Sequence, residues 1–169
     1  IVDLAAPPPA ADFHVSIMSL PAQLGVTPET LSTDTPYLRA ADDEIATWKA
    51  DVARRANGKP SVGLVWAGNP GQAHDYARSM APDDIASLLD NDDIAFFNLL
   101  VGPRGNTWRD PRLIDVRDQL TDFAATAALM KALDLIISVD SAPAHLAGGL
   151  GCSVQILLSF DPDSRYFLA

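Results

Sequence analysis

The chain has 169 residues, 48% of them hydrophobic, which is enough to build one domain around a buried core. Its net charge of −10 at pH 7 excludes binding to nucleic acid or to an anionic membrane through overall charge, although local donors can still hold a small anion. The single cysteine, Cys152, excludes an internal disulfide and no apolar run reaches the length of a membrane span, so we expect a cytoplasmic protein without such a span.

Residues 1–59 are predicted to be a linker and the remnant of a preceding domain. Prolines punctuate residues 1–40, and such spacing is typical of loops and linkers. From Ala41 to Ala56 the sequence predicts a helix, because acidic residues begin this segment and Arg54 and Arg55 lie near its end, as the helix dipole prefers.

Residues 60–169 are predicted to form the main domain, because strand and helix patterns alternate along them. Helical patterns occupy residues 82–89, 121–133 and 144–150, and apolar runs of strand length occupy residues 61–66, 94–101, 113–116, 135–139 and 154–159. Continuous apolar strands that alternate with helices are typical of a parallel sheet covered on both faces. The sequence therefore predicts an α/β, Rossmann-like parallel sheet of about five strands with helices on both faces.

Residues 133–151 are the most informative segment. The buried strand 135–139 ends at Asp140 and Ser141, two residue types that cap helices well, and a helix of small residues follows. The free N–H groups and positive dipole at the start of such a helix suit a phosphate. His145 lies one turn inside the helix on the side of Ser141, where it is either a ligand or a packed helix residue.

A second group of residues follows the first predicted strand. Gly68 allows close approach of a backbone, and Asn69 can hydrogen-bond to an oxygen ligand, although both also occur in ordinary turns. Arg78 comes later in the same polar loop, where it is either a partner for a phosphate or a solvated charge.

A third group opens the alanine-rich helix at residues 121–133, for which Thr121 is the predicted cap. Asp122 is either an acceptor for a ligand hydroxyl or a capping residue, and Phe123 either stacks near a base or packs in the core. For these two residues alone, the structural alternative is the stronger one.

Three other kinds of site are disfavoured. The nucleophile-elbow pattern G-x-S-x-G is absent, so Ser141 and His145 do not indicate a hydrolase triad. The 3 histidines have no metal-ligand spacing, so we expect no metal site. The glycine-rich patterns of dinucleotide-binding and P-loop proteins are absent as well.

Taken together, these segments resemble a known family. The chain contains SVGLVWAGNP, RSM, FFNLL, DFAATAALMKALDLIISVDSAPAHLAGGLG and VQILLSFDPDSR, which resemble the C-terminal half of a bacterial GT-B glycosyltransferase over residues 60–165. The most similar type accompanies tetratricopeptide repeats and is related to the heptosyltransferases (family 9) and the O-GlcNAc transferases.

The resemblance implies that residues 60–169 bind a nucleotide-diphosphate sugar as donor, with no other cofactor and no metal. It implies an inverting transfer of the sugar to an acceptor that the sequence does not identify. By motif, Asn69 and Arg78 would face the diphosphate, and Asp122 and Phe123 would lie near the nucleoside. Gly68, directly before Asn69, is predicted to belong to the same binding edge. The start of the diphosphate-binding helix would comprise Asp140, Ser141, Ala142 and His145.

The sequence also departs from the family pattern. The loop after Pro70 reads GQAHDY where the family commonly has a run resembling H-x-N-D-R, so a histidine and an arginine expected there are missing. The catalytic base usually comes from an N-terminal half, so we expect this chain to be incomplete alone and to need that half or a second chain as partner. The alternative is a non-catalytic nucleotide-binding or purely structural Rossmann-like module.

Overall fold

The computed structural model describes residues 7, 9–31, 34–106, 108–160 and 166. It divides into two compact units, Ile1–Asp34 and Thr35–Ala169. The described part of the first unit holds a 3-10 turn at Ile17–Ser19 and the short helix α1, Leu20–Gln23. None of the described residues between 7 and 34 is buried, so this part of the chain has no apolar core of its own.

The second unit contains a five-stranded sheet and five α-helices within its described residues. The strands are β1 (Ser61–Val65), β2 (Ala95–Asn98), β3 (Leu113–Asp115), β4 (Leu135–Val139) and β5 (Val154–Leu157). The helices are α2 (Asp42–Ala56), α3 (Asp75–Arg78), α4 (Pro82–Ala86), α5 (Phe123–Met130) and α6 (Ala142–Gly149), with 3-10 turns at Ser87–Asp90, Pro103–Asn106 and Arg117–Gln119.

All strand pairs are parallel, and the strand order is β3-β2-β1-β4-β5. This arrangement confirms the predicted α/β, Rossmann-like fold. The chain builds outward from β1 to β2 and β3, then returns to the other side of β1 to place β4. For right-handed crossovers, a reversal in the direction of building predicts α4 on one face of the sheet and α5 and α6 on the other, and α5 does contact α6. The reversal leaves a crevice between β1 and β4, where such folds bind ligands.

The core is continuous across the sheet. Phe97 of β2 and Ile136 of β4 are both fully buried, as are Leu129 and Met130 of α5. Trp48 of α2 is also buried in this core, and α2 packs on α5. The helix at 42–56, predicted as part of the linker segment, is therefore a layer of the second unit.

Most elements are shorter than predicted, and the largest difference among the strands is at β2, which spans Ala95–Asn98 where residues 94–101 were predicted. Three helices also begin or divide differently. Helix α5 begins at Phe123 with Asp122 as its N-cap, so the prediction of Thr121 as the cap is wrong. Helix α6 begins at Ala142, two residues before the predicted start, because Pro143 fits the first turn of a helix. The predicted helix 82–89 divides into α4 and a 3-10 turn. The segments 161–165 and 167–169 lie outside the described residues.

Candidate functional site

A cleft of about 530 Å³ opens at the carboxyl edge of the sheet, at the crevice between β1 and β4. Three segments form its walls: the loop after β1, the loop after β2 and the start of α6. The residues that line the cleft are Val65, Ala67, Gly68, Asn69, Pro70, Gln72, Arg78, Leu99, Leu100, Val101, Gly102, Pro103, Arg104, Ser141, Ala142 and Pro143.

The loop after β1 is fixed by internal hydrogen bonds. The Gly68 N–H donates to the Ser79 hydroxyl at 3.0 Å, and the Met80 N–H donates to the Trp66 carbonyl at 2.8 Å. The Asn69 side-chain oxygen accepts from the Gly71 N–H at 2.9 Å, which is the geometry of an Asx turn. The two ends of the loop are thereby held side by side, with the Asn69 amide oxygen engaged in its own turn.

A buried carboxylate lies at the centre of this loop. Asp75 is only 2% exposed, and it accepts a hydrogen bond from the Ser79 hydroxyl at 2.9 Å. Its two oxygens pair with two arginines, Arg78 Nε at 3.2 Å and Arg104 Nη2 at 2.8 Å. A Cβ on residue 68 would lie 2.4 Å from the Asp75 carboxylate, so this ion pair requires glycine at Gly68.

The loop after β2 delivers Arg104 to the cleft. The buried Asn98 side chain accepts from the Leu100 N–H at 3.0 Å and starts the turn. A Cβ on Gly105 would lie 1.8 Å from the Leu100 carbonyl oxygen, so the loop folds back on itself more closely than any other residue allows. Sequence reasoning missed Arg104. The available signal was its place in a G-P-R-G run after the second predicted strand, at the same edge of the sheet as Arg78.

The start of α6 closes the third side of the cleft. Ser141 is the N-cap residue, but its hydroxyl donates to the Val139 carbonyl at 3.1 Å and lies 3.2 Å from the Ser138 hydroxyl, so it does not cap the helix. Ser141, Ala142 and Pro143 line the cleft at this point. The positive end of the helix dipole is thus presented there without a side-chain acceptor in the cap position.

Asp140 and His145 form a separate cluster beside the helix start. His145 Nε2 lies 3.3 Å from an Asp140 carboxylate oxygen, and the Tyr166 hydroxyl donates to that oxygen at 2.7 Å. The His145 and Tyr166 rings are stacked with their centroids 6.5 Å apart. Neither Asp140 nor His145 is among the described residues that line the cleft.

Asp122 and Phe123 also lie outside the described lining of the cleft. The Asp122 carboxylate accepts from the Ala125 N–H at 2.8 Å and caps α5, while the Phe123 side chain is largely exposed. The cleft therefore brings together five of the predicted site residues: Gly68, Asn69, Arg78, Ser141 and Ala142.

Within the described ranges, no group of three or more His, Cys, Asp or Glu side chains could hold a metal ion. No helix among the described residues has the length and apolar character needed to cross a membrane. The chain matches no protein-family model, no curated protein and no solved structure at a significant level.

Proposed function

We propose that the chain is the donor-binding half of a metal-independent GT-B glycosyltransferase and that its cleft binds a nucleotide-diphosphate sugar. The observation that carries this proposal is the convergence of Arg78, Arg104 and the start of α6 on one cleft at the crevice between β1 and β4. These three features belong to three different segments of the chain and are all suited to an anion.

The chemistry of the cleft supports a diphosphate. Each guanidinium has a planar set of donors that fits two phosphate oxygens at once, and a helix start favours negative charge. The volume of about 530 Å³ lies within the usual range for sites that bind small molecules. In a metal-independent transfer, these donors would stabilise the negative charge that develops on the leaving diphosphate.

The proposal assigns donor binding to this chain and leaves the catalytic base to a partner. An N-terminal GT-B half or a second chain would supply the opposite wall of the cleft and the acceptor site. The sugar would pass to that acceptor with inversion, and the nucleoside diphosphate would leave.

A second candidate function is a non-catalytic nucleotide-binding or structural module. The observation that favours it is that both arginines already pair with Asp75 and that the Asn69 oxygen already accepts from Gly71. In that case, the ion pairs would stabilise the loops and would not serve a ligand.

Calorimetric titration with UDP, ADP and GDP, with and without an attached sugar, distinguishes the two functions. We expect binding of at least one nucleoside diphosphate, and we expect Arg78→Gln to weaken it by ~10-fold, the scale of one charge-assisted contact. Arg54→Gln is the matched control, because Arg54 is an exposed arginine of α2 that pairs with Asp51 outside the cleft.

No binding of any nucleoside diphosphate at millimolar concentration would favour the structural module. Binding without sugar transfer, after addition of the partner half, would favour the non-catalytic nucleotide-binding module.

A further inference from the structure

Asp75 is a buried charge whose ion pairs and hydrogen bond offset the cost of burying it. A carboxylate that is 2% exposed is costly unless it is paired and hydrogen-bonded, and Asp75 meets that need with two arginines and one hydroxyl. Both arginines line the cleft and keep part of their surface exposed, 27% of the side chain for Arg78 and 36% for Arg104. The carboxylate is therefore behind the wall of the cleft, and the two guanidinium groups are at its surface.

The two arginines come from different loops, and neither loop by itself brings them close together. Arg78 ends α3 after β1, and Arg104 lies in the 3-10 turn after β2. Like charges brought this close repel each other, and Asp75 offsets that repulsion by pairing with both. Since three charges are involved, two positive and one negative, the cluster keeps a net positive charge toward the cleft.

The geometry points to Asp75 as the positioning residue that holds Arg78 and Arg104 together as one clamp for a diphosphate, with Arg104 as the second phosphate-binding arginine. This inference rests on the proposed function, because it specifies how the same cleft would hold the phosphates. Through Ser79, the same carboxylate also fixes the Gly68 N–H at the cleft. A phosphate would meet donors that are already aligned, so these side chains would lose little conformational entropy on binding.

The substitution Asp75→Asn separates positioning from simple electrostatics. It keeps the size of the side chain and removes one negative charge beside the cleft. If only local charge mattered, the variant would bind inorganic pyrophosphate more tightly than the wild type. We expect it to bind pyrophosphate ~10-fold more weakly, because the arginines lose the group that orients them.

Two measurements test whether the weaker pyrophosphate binding of this variant arises from the arginines. The Nε–H resonance of Arg78 in NMR spectra reports its hydrogen bond to Asp75, at 3.2 Å, and is expected to shift in Asp75→Asn. In addition, Arg78→Gln and Arg104→Gln are combined in a double-mutant cycle with pyrophosphate as the probe. For one clamp, either single substitution should cost ~10-fold and the double substitution little more, so that the effects are not additive.

Tighter or unchanged pyrophosphate binding by Asp75→Asn overturns the inference. If that variant does not fold, the double-mutant cycle decides, and fully additive effects of the two arginines overturn it. The Arg54→Gln control should bind like the wild type. If pyrophosphate follows the expected pattern while no nucleoside diphosphate binds, the clamp stands and the proposed function fails.

Discussion

Helices α5 and α6 make an informative comparison because they start with similar backbone geometry and only one of them has a side-chain cap. Each has eight residues, and each is preceded by an N-cap residue with a φ of −155°. At α5 the Asp122 carboxylate accepts from the Ala125 N–H and closes the helix start. At α6 the Ser141 hydroxyl turns back to the Val139 carbonyl and leaves the helix start without a side-chain cap.

The chemistry of the two side chains explains this difference. An ionised carboxylate can only accept hydrogen bonds, so Asp122 accepts from the free N–H group of Ala125. A hydroxyl can also donate, and Ser141 finds the carbonyl of Val139 and the hydroxyl of Ser138 at the end of β4. Only the open helix start lines the cleft. The same local signal, a good cap residue before a helix, therefore precedes a helix start with a side-chain cap in one place and a helix start without one in the other.

The largest effect is expected when α6 receives a carboxylate cap like that of α5. Ser141→Asp places a carboxylate at the open helix start, where it would accept from the first free N–H groups and repel a phosphate. We expect pyrophosphate binding to weaken by at least ~10-fold while the melting temperature stays the same or rises. Calorimetric titration and thermal melts measure the two effects.

Ser141→Asn is the control for that substitution, because it can cap without charge and should weaken binding less. Wild-type affinity in Ser141→Asp would remove the start of α6 from the binding site.

The second test removes the side-chain cap of α5. Asp122→Ala removes the cap of α5, and we expect it to lower the free energy of unfolding by about 1 kcal/mol. Affinity for pyrophosphate should not change, because Asp122 is absent from the described lining of the cleft. Urea denaturation measures the first effect, and Asp122→Ser should restore most of the loss. A selective loss of nucleotide binding would instead place Asp122 near the nucleoside, as the family resemblance implies.

The strands were the most predictable part of this molecule. The apolar run Leu135–Val139 was predicted with the observed bounds, because the acidic residues Asp134 and Asp140 flank it on either side. The cap of α5 was not predictable, since Thr121 and Asp122 are both good cap residues and only the backbone geometry chooses between them. The start of α6 was placed two residues too late, because the prediction left Ala142 and Pro143 out of the helix although Pro143 fits its first turn.

The candidate site was only half predictable. Gly68, Asn69, Ser141 and Ala142 could be found because each lies shortly after a strand or at a helix start, and Arg78 because it is a charged residue in the polar loop that follows β1. Arg104 and Asp75 could not be linked to them, because their pairing joins loops that are far apart in the sequence and depends on β1 and β2 being neighbours. A polar loop residue such as Asp75 gives no local sign that it will be buried.

The segments that follow the two helices can be compared as well. The pH dependence of stability tests the segment after α5. After α5, the Asp134 carboxylate accepts from the Ser61 N–H at 2.8 Å and from the Ser61 hydroxyl at 2.7 Å, joining β4 to the start of β1. These hydrogen bonds, with the backbone one the larger, lower the pKa of Asp134. A pKa that is lower in the folded state adds stability above the unfolded value of about 3.9 and loses it as the pH falls through the folded value.

We therefore expect Asp134→Asn to lower the free energy of unfolding at pH 7 by less than about 1 kcal/mol, because this side chain is largely exposed to solvent. The difference from the wild type should shrink as the pH falls below about 4. Urea denaturation at pH 7 and at pH 3 measures it. A difference that is equal at both pH values would show that the charge of Asp134 contributes nothing.

The smallest expected effect lies at the end of α6, where Gly148 and Gly149 stand side by side. A Cβ at Gly148 would meet nothing within 4 Å, whereas a Cβ at Gly149 would lie 2.8 Å from Leu38 Cδ1 and 2.9 Å from Tyr37 Cζ. Since glycine weakens a helix relative to alanine, Gly148→Ala should raise the free energy of unfolding by about 0.5 kcal/mol. Gly149→Ala makes the same gain in helix propensity but must displace the segment whose Tyr37 and Leu38 N–H groups both donate to the Gly149 carbonyl at 2.9 Å. Thermal melts of the two variants should therefore move apart, with Gly148→Ala above the wild type and Gly149→Ala at or below it. If both rise equally, the segment at 37–38 gives way without cost and does not restrain the end of α6.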